Sequence, residues 1–228
     1  MPGVSRSQIV PRRQAAMALT EDKFNQGMTP QEYIDQIKVN KQTILDIYNT
    51  IKIPDTAKAQ FDGRSEPLRL AVFTADWCGD AVSTTPVIMR LAESTPGLAI
   101  EIFNRDDELE LTNSFLPENR AGTVPVFVVM DSGMNEIARF VETALELVPA
   151  LDSMDDAIAK DVAGESSGQS EENVRTLSRG KRMAFRVSHA KEWGNVILES
   201  FRKTVAQGLA ASPDARPAVG GTKWPPED

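Results

Sequence analysis

The sequence is poor in the two side chains that most often bind metals or form cross-links. Its 228 residues include one cysteine, Cys78, and one histidine, His189. A single thiol excludes an internal disulfide, and a zinc site built from Cys and His ligands lacks enough donors. A lone thiol fits a reducing compartment. We therefore expect a cytoplasmic protein that holds neither a metal nor another cofactor.

Long hydrophobic runs and an excess of positive charge are also missing. No apolar run approaches the roughly 20 residues that cross a bilayer. The apolar run 15–19 is shorter than the roughly 7–15 residues of a secretory signal core. The formal net charge is −8, whereas phosphate recognition needs a basic face. The sequence thus predicts no membrane span and no broad nucleic-acid binding.

What is present is the composition of an ordinary globular protein, with 41% hydrophobic and 25% charged residues. The pattern along the chain divides it into five parts. They are a flexible arm (1–27), a main domain with an N-terminal helix (28–160), a linker (161–178), a helical extension (179–210) and a disordered tail (211–228).

The main domain alternates helices and strands. Thr29, Pro30 and Glu32 form a capping signature for a helix that should run to about Ile51. The expected elements that follow are a strand Leu68–Phe73, a helix to about Ser94 containing Pro86, a strand Leu98–Phe103, a short helix from Asp106-Asp107-Glu108 to near Leu116, a strand Val124–Met130, a turn into a strand Glu136–Val141, and a helix capped by Thr143. This order predicts an α/β domain whose mixed β-sheet is covered by helices on both faces.

The acidic run at 106–108 suits the positive end of a helix, and we interpret it as a helix start and not as a metal site. The extension repeats apolar residues at helical spacing and is basic. Its basic side chains are Arg179, Lys181, Arg182, Arg186, Lys191, Arg202 and Lys203. We interpret them as a solvated face or one docked on the acidic body, with a partner-binding helix as the alternative.

The segment with the clearest chemistry is Ala75-Asp76-Trp77-Cys78-Gly79-Asp80-Ala81, where a buried strand ends and a helix begins. Unpaired N–H groups and the helix dipole stabilise a thiolate at such a position. Cysteines there have pKa values of roughly 3.5–7.5. The alternative is a small buried hydrophobic residue, as free cysteines often are. Gly79 permits close approach of another chain, and Trp77 can shield one side of the sulfur.

Asp80 opposes this activation. Its carboxylate suits the first helical turn, but it lies close to the sulfur and disfavours a second negative charge. At ~6–7 Å and an effective dielectric of about 20–80, that repulsion is about 0.6–2.5 kcal/mol. The helix terminus contributes about 0.3–1 kcal/mol at exposed sites. We therefore expect the two effects nearly to cancel.

Residues 68–159 resemble a thioredoxin-fold protein, in a bacterial family whose motif reads Trp-Cys-Gly-Asp. Pro86, eight residues after Cys78, stands at the kink proline of the active-site helix. Val124-Pro125 comes before an apolar strand, with Pro125 47 residues after Cys78, and resembles the cis-proline loop. The resemblance implies a thioredoxin fold with extra N-terminal and C-terminal helices. It also implies a catalytic Cys78 and a substrate cleft, whose expected residues are Trp77, Gly79, Asp80, Val124 and Pro125.

Two departures from that family bear on the chemistry. A dithiol thioredoxin has its resolving cysteine where this chain has Ala81, and commonly a buried aspartate where it has Val72. The resemblance thus implies monothiol thiol–disulfide exchange, in which Cys78 forms a mixed disulfide with a protein or a low-molecular-weight thiol. The alternative is a redox-inactive binding module for a protein partner. A third interpretation is a homodimer linked through Cys78. We assign no role to His189.

Overall fold

The computed structural model describes residues 19–165 and 168–222. Its helices are α1 Glu21–Phe24, α2 Pro30–Gln36, α3 Lys41–Thr50, α4 Asp55–Lys58, α5 Gly79–Glu93, α6 Leu109–Ser114, α7 Val148–Glu165, α8 Glu171–Ser188 and α9 Ala190–Ala210. Its strands are β1 Leu68–Thr74, β2 Leu98–Asn104, β3 Val126–Met130, β4 Glu136–Val141 and β5 Ala218–Gly221. None of the described helices is long and apolar enough to cross a membrane.

The five strands form one mixed sheet in the order β2-β1-β3-β4-β5. The outer pairs β1–β2 and β4–β5 are parallel, whereas β3 is antiparallel to both β1 and β4. The expected α/β class with a mixed sheet is therefore confirmed, and each strand expected between 68 and 141 is present.

Helices cover both faces of this sheet, as expected. Successive side chains of a strand point to opposite faces, and β1 shows this directly. Val72 belongs to the larger core, which α5 and α9 cover, and Phe201 of α9 is among its fully buried members. Phe73 belongs to the core on the other face, where it stacks on Phe103 with ring centroids 5.3 Å apart. α9 thus packs directly on the sheet.

The prediction of a single helix from Pro30 to about Ile51 was wrong, because two helices are present. The capping box at Thr29 and Glu32 is present, but α2 ends at Gln36 and α3 begins only at Lys41. Between them Asn40 adopts a left-handed conformation with φ 58°, which asparagine tolerates better than most residues. The break has a long-range cause, because Asp76 accepts hydrogen bonds from the freed backbone N–H groups of 38 and 39.

The linker expected at 161–178 is largely helical, since α7 continues to Glu165 and α8 begins at Glu171. Ser170 caps α8 by accepting a hydrogen bond from the backbone of Asn173. Lys181 of α8 forms ion pairs with Asp161 and Glu165 of α7. The polar composition of this stretch thus belongs to the exposed surfaces of two packed helices, which composition alone does not distinguish from a linker.

Three further expectations need correction. Residues 212–222 of the expected disordered tail include β5, which pairs with β4. The expected arm, 1–27, contains α1, and its residues 1–18 lie outside the described part. Met28, directly after the arm, forms a β-bridge with Ile102. The one helical pattern expected across 179–210 is two helices, which meet at His189.

Candidate functional site

Cys78 is the N-cap residue of α5, directly after β1 and a short loop. Its backbone carbonyl accepts the first hydrogen bond of the helix, from Val82 N at 3.0 Å. The residue is partly exposed, and Sγ donates to the carbonyl oxygen of Val124 at 3.3 Å. The expected position between strand and helix is therefore present, and the sulfur faces the loop before β3.

Burial acts on the Cys78 thiol in addition to the two opposing effects of the helix terminus and Asp80. Burial raises the pKa of the Cys78 thiol above its ordinary value and is the largest effect. The backbone N–H groups of Ala81 and Asp80 and the charge of Arg186 lower it, whereas the Asp80 charge raises it. The net direction is upward, so the thiol form predominates at neutral pH. A local sequence pattern does not report burial, so this largest effect could not be predicted from the residues around Cys78.

The loop facing the sulfur is held by β3 and β4. The peptide bond between Val124 and Pro125 is cis, as the resemblance implied. Both side chains are buried, and the Pro125 carbonyl accepts a hydrogen bond from Glu142 N at 2.7 Å. The structure thus brings Val124 and Pro125 together with Cys78.

The Trp77 side chain contacts the segment that follows β2. Its side chain is 47% exposed, and Nε1 donates to Asp106 Oδ2 at 2.9 Å. The Arg105 guanidinium lies 5.1 Å from the centroid of its ring. Asp106 was expected to start a helix, but α6 begins at Leu109, and the carboxylate instead fixes the indole beside the active-site loop.

Gly79 and Asp80 are contacted by a residue that sequence reasoning did not select. Arg186, near the end of α8, is 7% exposed and donates to Ser83 Oγ at 2.7 Å and to Asp80 Oδ1 at 3.3 Å. A Cβ atom on Gly79 would lie 2.9 Å from Arg186 Nη2. The segment that approaches Gly79 closely is therefore α8 of this same chain, and not the other chain that the sequence analysis expected there. The basic extension thus docks here on an acidic side chain of the main domain, which is one of the two roles that the sequence analysis gave to its charge.

Asp80 experiences opposing effects. Burial is the largest effect and the charge of Arg186 opposes it, and the net shift of the Asp80 pKa is upward. Glu142 and Asp155 add smaller upward contributions. Arg186 lies between Phe185 and Val187, in a segment that the sequence marked only as a basic helix. No local spacing signals that one of its cations reaches the motif around Cys78.

A polar cleft of about 250 Å³ opens beside Trp77. It is lined by Tyr33, Gln36, Ile37, Lys38, Thr74, Ala75, Asp76, Trp77, Asn104, Asp106 and Asp107. Burial raises the pKa of Tyr33 to about 12, so its hydroxyl stays protonated at neutral pH. Three carboxylates line this cleft, but within the described ranges no group of His, Cys, Asp and Glu could hold a metal ion.

His189, to which the sequence analysis assigned no role, packs against two aromatic rings of α8 and α9. Its ring stacks on Phe185 with centroids 4.0 Å apart and lies 5.5 Å from Trp193. Nδ1 lies 2.9 Å from the Phe185 carbonyl oxygen. These contacts place the imidazole in the junction between α8 and α9.

A protein-family model described as thioredoxin matches residues 27–155, more than half of the chain. The chain belongs to the thioredoxin family. Among curated protein sequences none matches it. The family match covers β1, α5 and the loop at Pro125, so the thioredoxin-like assignment made from the motif and its spacing is confirmed. The detail of the Trp-Cys-Gly-Asp motif stays a resemblance.

Two solved structures are similar in part. One is a protein of unknown function from Pseudomonas aeruginosa, with a TM-score of 0.48, 17% sequence identity, and coverage of 72% of this chain and 92% of the other. The second is an HIV epitope scaffold, with a TM-score of 0.44, 14% identity, and coverage of 73% and 92%.

Within the thioredoxin fold, the two departures stand where the motif placed them. Ala81 is 1% exposed in the first turn of α5. Val72 is fully buried in β1, opposite Phe127 of β3. At these two positions the chain has neither a second thiol nor a buried carboxylate. The sequence holds no cysteine besides Cys78 that could attack a mixed disulfide, and the Val72 side chain carries no proton-transfer group.

Asp76 supports the active-site loop, and its replacement provides a test of that role. Its Oδ2 accepts from the backbone N–H groups of Lys38 and Val39 at 2.8 and 2.9 Å, and its carbonyl accepts from Asn40 at 2.8 Å. Because Asp76→Ala leaves two backbone donors without this acceptor, we expect it to lower the free energy of unfolding by about 1–2 kcal/mol.

Chemical denaturation of Asp76→Ala measures this loss, and Asp106→Ala is the control. Asp106 bonds an exposed indole and not a backbone segment, so we expect its loss to be below about 0.5 kcal/mol. Equal losses in the two variants would contradict the supporting role of Asp76.

Proposed function

We propose that this thioredoxin-family protein carries out thiol–disulfide exchange through Cys78 alone, as a monothiol oxidoreductase. The observation that carries the proposal is the setting of the sulfur. Cys78 is partly exposed at the N-cap of α5, and Sγ faces the Val124 carbonyl at 3.3 Å. Disulfide exchange needs a thiol that the substrate can reach, and a helix N-terminus stabilises the thiolate that attacks.

The reaction proceeds in two balanced steps. The Cys78 thiolate attacks one sulfur of a substrate disulfide, forms a mixed disulfide, and releases the other half of the substrate as a thiolate. An external thiol then attacks the mixed disulfide, which returns Cys78 as a thiol and leaves the substrate half joined to the external thiol. The external thiol is needed because Ala81 cannot perform the second attack.

The substrate cleft in this proposal lies around the sulfur. On the helical side Arg186 covers Gly79 and Asp80, so the substrate reaches the sulfur from the side of Val124 and Pro125. Trp77 extends the cleft toward the polar cavity and offers an exposed indole for apolar contact. We propose small disulfides or protein disulfides as substrates, in the reducing cytoplasm, where an external thiol is abundant.

A second candidate function is a redox-inactive binding module that uses the same cleft for a protein partner. The observation that favours it is the raised pKa of Cys78, for which burial is the main cause. A thiol that stays protonated at neutral pH attacks disulfides slowly, since the thiolate is the nucleophile. The donation from Sγ to the Val124 carbonyl also favours the protonated form.

The decisive experiment follows mixed-disulfide formation by mass spectrometry. The reduced full-length protein is mixed with hydroxyethyl disulfide or glutathione disulfide between pH 6 and 9.5, and reduced glutathione is then added. We expect one adduct per chain and its release by the thiol. Below the pKa of the thiol, the rate should rise about tenfold per pH unit. Cys78→Ser is the control and should form no adduct.

The outcomes separate the candidates. An adduct that forms at least as fast as on a cysteine-containing peptide of matched pKa, and that glutathione releases, supports monothiol exchange. No adduct at pH 9.5, where the peptide reacts, contradicts exchange and favours the binding module. A disulfide-linked dimer of chains, seen on a non-reducing gel, would show that Cys78 pairs with a second copy instead.

A further inference from the structure

The C-terminal part of α8 contributes a buried cation to the turn that carries Cys78. The side chain of Arg186 in α8 donates hydrogen bonds to Asp80 and Ser83. Both of these residues lie in the first one and a half turns of α5. The Arg186 guanidinium occupies the space beside Gly79 that a Cβ atom there would enter. The element that covers this turn thus lies outside residues 27–155, which match the family model.

We propose that Arg186 is a positioning residue for Cys78. The Arg186 charge offsets the negative charge of Asp80 beside the sulfur and so preserves the reactivity of the thiol. The inference deepens the proposed function and rests on it for its purpose. Its physical content, the charge balance around one sulfur, can be measured whether or not exchange is the biological reaction.

The charge argument begins with Asp80. Its carboxylate is two residues after Cys78 in the first turn of the helix, and a negative charge at that distance disfavours the Cys78 thiolate. Arg186 lies against the same carboxylate, with Nη2 3.3 Å from Oδ1. The Arg186 charge lowers the pKa of Cys78 and the Asp80 charge raises it by more, so the cation offsets part of the field that the anion exerts on the sulfur.

The other basic side chains of α8 are directed elsewhere. Lys181 and Arg182 pair with carboxylates of α7, and Arg179 donates to Asn40. Arg175 pairs with Glu171 within α8. Among these described cations, Arg186 is the one that contacts α5, and it is also the most deeply buried of them.

The remaining charged groups near the pair each have a partner of their own. Asp80 faces Arg186 from α8, Glu142 from the end of β4, and Asp155 from α7. Glu142 pairs with Arg120 at 2.9 Å, and Asp155 pairs with Arg182 at 2.6 Å. Tyr33 of α2 is a further titratable neighbour, since it interacts with both Cys78 and Asp76 of the loop.

The experiment measures the alkylation rate of Cys78 by iodoacetamide from pH 6 to 10 in the full-length protein. We expect Arg186→Gln to lower the rate at pH 7.5 by about three- to tenfold and to move the whole profile to higher pH, because the Asp80 charge is no longer offset. Asp80→Asn should raise the rate by a similar factor. Arg186→Lys, which keeps the charge, should stay within about twofold of the wild type.

The double variant Asp80→Asn/Arg186→Gln distinguishes charge from simple structural disturbance. It removes both charges, so we expect its profile to return close to that of the wild type, whereas accumulated structural damage would not restore it. Lys181→Gln removes the same charge from the same helix at an exposed ion pair and should leave the profile unchanged. Thermal melts establish that each variant is folded.

If Arg186→Gln does not fold, the comparison of Asp80→Asn with the double variant replaces it, and the double variant should react about three- to tenfold more slowly. A wild-type profile in Arg186→Gln, or a double variant as slow as Arg186→Gln, overturns the proposal. Alkylation that responds to Arg186 without any mixed disulfide contradicts only the exchange function. Exchange that is insensitive to Arg186 contradicts only this inference.

Discussion

Replacing Ala81 with cysteine is expected to shorten the lifetime of a mixed disulfide on Cys78 by at least about tenfold. The new thiol would stand three residues after Cys78 in the first turn of α5. Residues at this spacing on a helix have Cβ atoms about 5–6 Å apart, a separation that modest adjustment at a helix end brings to disulfide distance. An attack within the chain has a far higher effective concentration than an external thiol at millimolar levels.

The measurement is the decay of the adduct with hydroxyethyl disulfide, followed by mass spectrometry with and without added glutathione. In Ala81→Cys the adduct should disappear without glutathione and leave an internal disulfide two mass units below the reduced protein. In the wild type it should persist until glutathione is added. Ala81→Ser is the matched control, because it changes the size of this 1%-exposed side chain by a similar amount and supplies no thiol.

Two results would count against the account of the site. A folded Ala81→Cys variant whose adduct persists would show that the sulfur of Cys78 is not oriented toward the first turn of α5. A wild-type adduct that decays without any external thiol would show that a group other than a second cysteine resolves it.

The sequence predicted the elements whose signals are local. β1 and β3 are apolar runs, the capping box at Thr29 lies within four residues, and the α5 start follows from the loop around Cys78. Pro86 and Pro125 at matching distances supported the fold more strongly than the motif alone. In each case the information lies within one segment or in the distance between two of them.

The elements that were missed depend on contacts between distant segments. The break after Gln36 exists because Asp76 binds the backbone at 38 and 39. β5 forms because residues 218–221 pair with the edge strand β4. Arg186 enters the site because α8 docks on α5. No spacing within the sequence reports such pairings, and the burial that sets the pKa of Cys78 has the same origin.

The second large effect concerns the core. Phe201→Ala is expected to lower the free energy of unfolding by about 3–5 kcal/mol, a large share of the roughly 5–15 kcal/mol of a typical domain. Phe201 is fully buried, and its ring lies 6.3 Å from Phe127 and 5.8 Å from Phe140, in edge-on contacts. These partners belong to β3 and β4, so the side chain from α9 fills the centre of the larger core.

Denaturant unfolding, monitored by far-UV circular dichroism, measures this loss. Phe185→Ala is the matched control, since it removes the same side chain from α8, where the ring is half-buried against His189. We expect that change to cost about 1 kcal/mol. Should Phe201→Ala not fold, Phe201→Leu provides the milder variant, with an expected loss of about 1–1.5 kcal/mol.

Equal losses for Phe201→Ala and Phe185→Ala would mean that α9 is an appendage of the fold, and an unfolding transition that keeps the sheet intact would mean the same. A single cooperative transition, destabilised selectively by Phe201→Ala, would establish that the helices beyond the family match are part of the same folding unit as Cys78.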